Sequence, residues 1–330
     1  MSVCNACSPK PLFYQIQFSS PKNQTHLPAI ERHLSPKGML ISCDENTLTV
    51  KEDAVRGLYD YFSDHMDLKH IEFRIHASEW KPFEQALTLI DNRWIDHIVQ
   101  EELVHFHFQP IVDADRNVYA HEMLARFTSE DGQPVSPYEA FQSARSRNRT
   151  YALDRVCRMN AVKHAGAASG KVFINFIPTA IYSPEHCLKS TVALADQLGL
   201  HPSKFVFEVV ETEKVADIKH LKRILTYYRE KGFSYALDDV GAGFNDADTI
   251  IQLQPHYMKL DMKYVQGVHN SPDKQEVALH LLQTSQSVGA VPLAEGIEDE
   301  MDFNWLKQAG FKLFQGYLFG KPDPTPIEHL

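Results

Sequence analysis

Cysteine is scarce in this chain: five in 330 residues, at Cys4, Cys7, Cys43, Cys157 and Cys187. So sparse and odd a set excludes the disulfide framework of a small secreted domain. No apolar run approaches the roughly 20 residues of a membrane-spanning helix. The first residues, MSVCNACSPKPLF, lack the basic-then-apolar order of a signal peptide. A cytoplasmic protein without a membrane span is the expectation. Positive charge is also short. Thirty-three Lys and Arg face 43 Asp and Glu, a formal net charge of −10, which argues against binding of a nucleic-acid polymer. There is no low-complexity segment and no internal repeat. No H-E-x-x-H zinc motif accompanies the 17 histidines, and no G-x-G-x-x-G follows a strand-like run.

Hydrophobic residues make up 43% and charged residues 23%, enough apolar side chain for a sizeable core. The length predicts about two domains. Residues 1–90 read as a small α+β unit. Its candidate strands are Leu12–Phe18, Gly38–Ser42, Thr47–Val50 and His70–Ile75, its candidate helices Glu52–His65 and Lys81–Ile90. Ser19–Thr25, with Pro21, reads as a loop. Residues 91–103 read as a connecting helix. From residue 104 to 330 short apolar runs alternate with amphipathic stretches. The strand-like runs are Val104–Val112, Ala120–Phe127, Val172–Phe176, Phe205–Val210, Ser234–Asp238, Tyr257–Leu260, Val291–Ala294 and Leu313–Phe319. Gly232, Gly289 and Gly310 fall where three of the intervening helices should stop. Eight strands with interleaved helices predict a TIM-like (βα)8 barrel, with a doubly wound open sheet as the alternative.

A barrel of this kind gathers its chemistry at the C-terminal ends of its strands, and polar residues recur there. Glu122 lies in the second run, Asn175 near the end of the third, Glu208 and Glu211 around the end of the fourth. Asp238 and Asp239 end the fifth run and Lys259 lies in the sixth. Glu295 and Glu298 follow the seventh, and Gln315 lies in the eighth. Taken alone, an Asp-Asp pair is a helix cap or a solvated turn, and Glu298 favours the start of the next helix. Recurrence at successive strand ends points instead to one shared site. Glu122, Asn175, Glu208, Asp238 and Asp239 offer only hard oxygen donors, the choice of Mg²⁺ and Mn²⁺. Five such ligands suit two ions about 3.5–4 Å apart, which together activate water and stabilise a leaving oxygen. Lys259 is placed to hold the water or a developing negative charge, and Glu295 to accept its proton. His105, His107 and His121 read as structural.

At these residues the chain resembles the EAL-domain family of cyclic di-GMP phosphodiesterases, over roughly residues 96–330. Gln109-Pro110-Ile111-Val112-Asp113 resembles its opening strand and Glu122-Met123-Leu124-Ala125-Arg126 its naming motif E-A-L-x-R. Asn175 matches the family asparagine, and Glu208-Val209-Val210-Glu211-Thr212 its E-x-x-E-[ST] run. Asp238-Asp239-Val240-Gly241-Ala242-Gly243-Phe244 resembles D-D-F-G-x-G-[YF], and Met258-Lys259-Leu260-Asp261 resembles L-K-[IL]-D. Ala294-Glu295-Gly296-Ile297-Glu298 and Gln315-Gly316-Tyr317-Leu318-Phe319 match the two closing motifs.

The resemblance implies a modified barrel whose first strand runs antiparallel to the rest. It also implies two Mg²⁺ or Mn²⁺ ions and hydrolysis of cyclic di-GMP to linear pGpG. Glu122, Asn175, Glu208 and Asp238 would hold one metal, Asp238 and Asp239 the second. Glu122, Lys259 and Glu295 would be catalytic. Arg126, Gln109, Leu124 and Gln315 would meet substrate, Arg126 through a phosphate. Glu211 and Glu298 would support loops, and the loop after Asp239 would belong to a homodimer surface. The alternative is a catalytically silent cyclic di-GMP receptor that signals to a protein partner; a more distant one is a metal-dependent barrel acting on another phosphoester. The sequence departs from the family pattern at Met123, across Val240–Asp246 and at Gly320-Lys321-Pro322. No G-G-D-E-F run is present, so cyclic di-GMP synthesis is not expected. Residues 1–90 carry no comparable motif. A regulatory or dimerising role, with an unidentified signalling partner, is expected of them. Cys4-Asn5-Ala6-Cys7 reads as a terminal tail with incidental thiols, the alternative being a metal or redox sensor completed by Cys43, His26 or His33.

Overall fold

The computed structural model describes residues 11–75, 78–209, 217–240 and 247–329. Cys4, Cys7, Glu211 and most of the Val240–Asp246 loop lie outside the described residues. The chain divides into two compact units, Met1–Leu103 with Thr128–Leu153, and Val104–Phe127 with Asp154–Leu330. Residues 128–153 thus cluster with the first unit.

In the first unit an antiparallel sheet runs in the order Leu40–Cys43, Thr47–Lys51, Phe13–Phe18, Ile71–Ile75, Lys81–Pro82. Tyr14, Ile16 and Phe18 alternate onto its buried face. They share one core with Leu27, Ile30 and Leu34 of the helix Leu27–Leu34, and with Val55, Leu58 and Phe62 of the helix Val55–His65. The first of these helices lies where no element is expected from the sequence, although its apolar residues keep helical spacing and Pro28 sits in its first turn, where no donor is lost. The expected loop Ser19–Thr25 contains a one-turn helix, Pro21–Gln24. The expected helix Lys81–Ile90 starts later. Pro82 keeps Lys81 extended in the sheet, and the α-helix covers Ala86–Asp91. The connecting helix is Trp94–Gln100.

The first unit also buries a charge. Arg147 is fully inaccessible to solvent. Its guanidinium donates to Glu52 Oε1 at 2.7 Å, Glu52 Oε2 at 3.2 Å and Asp96 Oδ2 at 2.7 Å, and also to the Leu89 carbonyl. Tyr14 donates its hydroxyl to Glu52 at 3.1 Å, and Arg149 Nε donates to Asp96 Oδ1 at 2.7 Å. These contacts fasten residues 147–149 to Glu52 and to the helix that carries Asp96.

In the second unit eight strands close into a barrel, as expected: Val104–Asp113, Val118–Thr128, Lys171–Phe176, Phe205–Val209, Ser234–Val240, Tyr257–Leu260, Val291–Ala294 and Leu313–Gln315. The first strand is antiparallel to both its neighbours, and every other neighbouring pair is parallel. Pairing between the first two strands removes the free edge that an open sheet would leave. Each strand contributes one residue to a layer across the barrel interior: Ile111, Ala120, Phe173, Val206, Ala236, Tyr257, Leu293 and Leu313. This apolar plug is the floor on which the site stands.

Candidate active site

Side chains on a strand alternate between faces, so a residue two places from a plug residue points to the same interior, one layer away. Two residues beyond Ala120, Phe173, Val206, Ala236, Tyr257, Leu293 and Leu313 come Glu122, Asn175, Glu208, Asp238, Lys259, Glu295 and Gln315. The antiparallel first strand reaches the same layer in the opposite direction, from Ile111 back to Gln109, which pairs across to Glu122. One rule of alternation thus builds a ring of eight polar side chains directly above eight apolar ones. One further step along the second strand gives Leu124 and a second gives Arg126, both half-buried and on the same face.

Lys259 is at the centre of the ring and is 1% exposed. Its ammonium lies 2.8 Å from Glu208 Oε1, 2.9 Å from Glu295 Oε1, 3.4 Å from Asp238 Oδ1 and 3.9 Å from Glu122 Oε2. Burial alone would discharge it, but the charges of Asp238, Glu122, Glu208 and Glu295 outweigh burial and hold its pKa well above the usual lysine range. Glu122 is held from both sides. Asn175 donates to Oε1 at 2.9 Å and Gln315 to Oε2 at 2.7 Å. Burial raises Glu122, but Lys259 and these two amides overcome it and hold the carboxyl below its ordinary value. Glu208 is fully buried, and burial plus the charge of Glu122 push its pKa well up despite Lys259. Burial and the charge of Asp238 raise Glu295 in the same way.

The donor set fits divalent cations. Among the described residues Glu208 Oε2 and Gln315 Oε1 are buried acceptors with no hydrogen-bond donor. Such acceptors are costly unless a cation or water meets them. The ring offers carboxylate and amide oxygens and no thiolate or imidazole, the preference of Mg²⁺ and Mn²⁺. Among the described residues, His269, Asp299 and Asp302 form a further group of side chains with metal-ligating atoms close together. There Asp302 already accepts from Gly267 N on Oδ2 and from His269 N and His269 Nδ1 on Oδ1.

Most sequence-predicted residues converge. Gln109, Glu122, Asn175, Glu208, Asp238, Lys259, Glu295 and Gln315 share the ring. Asp239 follows Asp238 in the same strand, and its side chain lies outside the described residues. Glu298 does not join: it is exposed, in the turn before Asp299, whose carboxylate caps the next helix by accepting from Met301 N at 2.6 Å. Arg126 donates to the neighbouring Ala125 carbonyl at 2.9 Å. His121 is structural: buried, bonded to the Ile327 carbonyl at 2.9 Å, and held towards its neutral form by burial. His105 and His107 share the face of Gln109, with rings 5.8 Å apart. Sequence reasoning missed the amide chain behind Glu122, in which Gln315 Nε2 also donates to Gln109 Oε1 at 3.1 Å and Gln109 Nε2 to the Gly320 carbonyl at 3.3 Å. The signal available was that both glutamines fall two residues from a plug residue.

Comparisons with known proteins agree with this geometry. The EAL domain model matches residues 92–322. Cyclic di-GMP phosphodiesterase PdeF of Escherichia coli is 27% identical over 238 residues, covering 68% of this chain and 31% of the relative. The blue light- and temperature-regulated antirepressor BluF of the same organism is 26% identical over 221 residues, covering 66% of this chain and 54% of the relative. The chain therefore spans between about a third and a half of the length of these curated relatives. Among solved structures, a standalone versatile EAL protein from Vibrio cholerae O395 in a c-di-GMP bound form is 31% identical. It aligns over 69% of this chain and 95% of its own, with a TM-score of 0.61. The FimX EAL domain of Pseudomonas aeruginosa, bound to c-di-GMP, shares the fold at 20% identity and a TM-score of 0.66, over 73% of this chain and 98% of its own. With its barrel, its ring of site residues and the family match across residues 92–322, this chain belongs to the EAL domain family.

Proposed function

We propose that this protein is a divalent-metal-dependent phosphodiesterase that hydrolyses cyclic di-GMP to linear 5′-pGpG. The observation that carries the reading is the ring itself: hard-oxygen donors, a buried lysine and a buried glutamate stand in one layer, with buried acceptors left for cations. Glu122, Asn175, Glu208 and Asp238 would hold one Mg²⁺ or Mn²⁺, and Asp238 with Asp239 a second. When bound, the two ions supply a more acidic water and charge neutralisation at the phosphate. Glu295 takes the proton of the attacking water on its carboxylate. Burial and the charge of Asp238 make it a stronger proton acceptor than a solvated glutamate. Lys259 keeps the carboxylates from repelling one another and faces the negative charge that develops on the phosphoryl oxygens. Arg126, on the same strand face and above Glu122, offers a two-pronged guanidinium to the substrate phosphate. Gln109 and Gln315 fix the rotamer of Glu122, and Leu124 offers an apolar contact to the base. Water adds to phosphorus and the P–O3′ bond breaks, so the product keeps a 5′-phosphate and gains a 3′-hydroxyl.

The proposal extends to a homodimer, a cytoplasmic location and a regulatory role for residues 1–90. In support of the location, no helix among the described residues is long and apolar enough to cross a membrane. The test is a chromatographic product assay with cyclic di-GMP and Mn²⁺, with Glu122→Ala and a chelator as controls. Linear pGpG that is lost in both controls supports the proposal. Binding without product turns the reading to the silent receptor.

A further inference from the structure

We propose that Asp154 is a positioning residue for the metal-facing side chain of Asn175. This rests on the phosphodiesterase reading above and assigns a residue outside the ring.

Asp154 sits in the second turn of the helix Thr150–His164. It is 3% exposed. Its carboxylate faces two donors. Oδ1 accepts from the backbone N–H of Ile177 at 2.9 Å and Oδ2 from Arg158 Nη2, one turn along the same helix, at 3.1 Å. Arg158 is 2% exposed and passes the restraint on, donating from Nη1 to Thr191 Oγ1 at 2.6 Å in the helix Lys189–Gln197. A buried carboxylate is tolerated here because both its oxygens are used and its charge is matched.

What it grips is the end of a catalytic strand. Asn175 is the penultimate residue of Lys171–Phe176, and the parallel ladder to the neighbouring strand ends with Phe176 opposite Val209. Ile177 N lies one residue past that ladder and just before Pro178, which cannot donate. Asp154 therefore supplies the next restraint after the ladder stops, two residues from Asn175. A charged acceptor makes a stronger bond to a backbone N–H than a neutral one. Asn175 needs that restraint. Its Nδ2 must donate to Glu122 Oε1, at 2.9 Å, so that its Oδ1 remains for a cation. A strand end that twists by one rotamer loses both at once.

The experiment uses the full-length protein and Mn²⁺ as the probe, with free Mn²⁺ counted by electron paramagnetic resonance and thermal midpoints measured alongside. The variants are Asp154→Asn, which keeps the shape and removes the charge, and the milder Thr191→Val, which takes one acceptor from Arg158. Glu52→Gln is the control, a buried carboxylate in the first unit that also bonds an arginine. The expected result is Mn²⁺ affinity about tenfold weaker in Asp154→Asn, which corresponds to about 1.4 kcal/mol. Thr191→Val should weaken it by about twofold, and Glu52→Gln should lower the midpoint without moving the affinity. Unchanged affinity in a folded Asp154→Asn with a lowered midpoint overturns the positioning role and leaves the metal reading standing. If Asp154→Asn does not fold, unchanged affinity in Thr191→Val overturns the positioning role in its place. Wild-type protein that binds no Mn²⁺ overturns the metal reading and this assignment with it.

Discussion

Arg147→Met tests how the first unit is held together. The arginine is wholly buried, and its partners Glu52 and Asp96 have side chains only 9% and 16% exposed. Removing one member of a buried ion cluster costs about 3–5 kcal/mol, because the remaining charges stay in a poorly solvating site. Here the lower end applies. Asp96 keeps Arg149 at 2.7 Å, and Glu52 keeps the Tyr14 hydroxyl at 3.1 Å with Arg93 Nε at 3.6 Å. We expect a loss of about 3 kcal/mol, which for a unit of this size lowers its midpoint by roughly 10 °C. Glu52→Gln leaves Arg147 paired with Asp96 and should cost less, about 1–2 kcal/mol. Hydrogen exchange followed by mass spectrometry reads each unit separately, which a single melting curve does not. The arginine substitution should speed exchange in peptides covering Tyr14, Glu52 and Arg147. Protection within about 0.5 kcal/mol of wild type at all three would refute the idea that these charges depend on one another.

Three further outcomes follow from the ring and its surroundings. Lys259→Met removes the one cation among four carboxylates, so the metal-free protein should lose about 3 kcal/mol by urea titration, with Mn²⁺ restoring part of it; a loss that Mn²⁺ does not reduce would count against the acidic ring as its site. Glu208 and Glu295 have folded-state pKa values raised above those of the unfolded chain, so the metal-free fold holds extra protons, is favoured at low pH and loses that advantage as pH rises through the raised values. Cations must displace those protons, so Mn²⁺ affinity should rise with pH, with proton release visible by calorimetry in buffers of different ionisation enthalpy; affinity independent of pH contradicts this. In Gly316→Ala the new Cβ would lie 2.0 Å from the Ile297 carbonyl oxygen and 2.2 Å from its nitrogen, so the loop that follows Gln315 must move. We expect a cost above about 3 kcal/mol by chemical denaturation; a loss below about 1 kcal/mol would show that this loop yields.

The barrel was legible because each interior strand ends an apolar run with a polar residue, at Asn175, Glu208, Asp238 and Lys259, where burial would forbid one without a purpose. The same pattern marked the site, since side-chain alternation ties each ring residue to a plug residue two places away. Local pattern was silent about partners distant in sequence. Nothing near Arg147 marks it as buried, because its matching charges come from Glu52 and Asp96. Nothing near Asp154 marks its carboxylate as the acceptor for the Ile177 N–H, 23 residues away. The segment 128–153 follows a barrel strand in sequence yet packs with the first unit, a choice made by tertiary contacts. The helix Leu27–Leu34 escaped notice because it is short and follows a polar, proline-bearing stretch.

The central claim is that the ring activates water against a cyclic dinucleotide. Its most direct test is hydrolysis of cyclic di-GMP in ¹⁸O-labelled water with Mn²⁺, followed by mass spectrometry of the nucleotides. The account predicts linear pGpG with one ¹⁸O on its new 5′-phosphate, and no product in Glu295→Gln. Cyclic di-GMP that binds to the Mn²⁺-loaded protein and is recovered intact and unlabelled would contradict it.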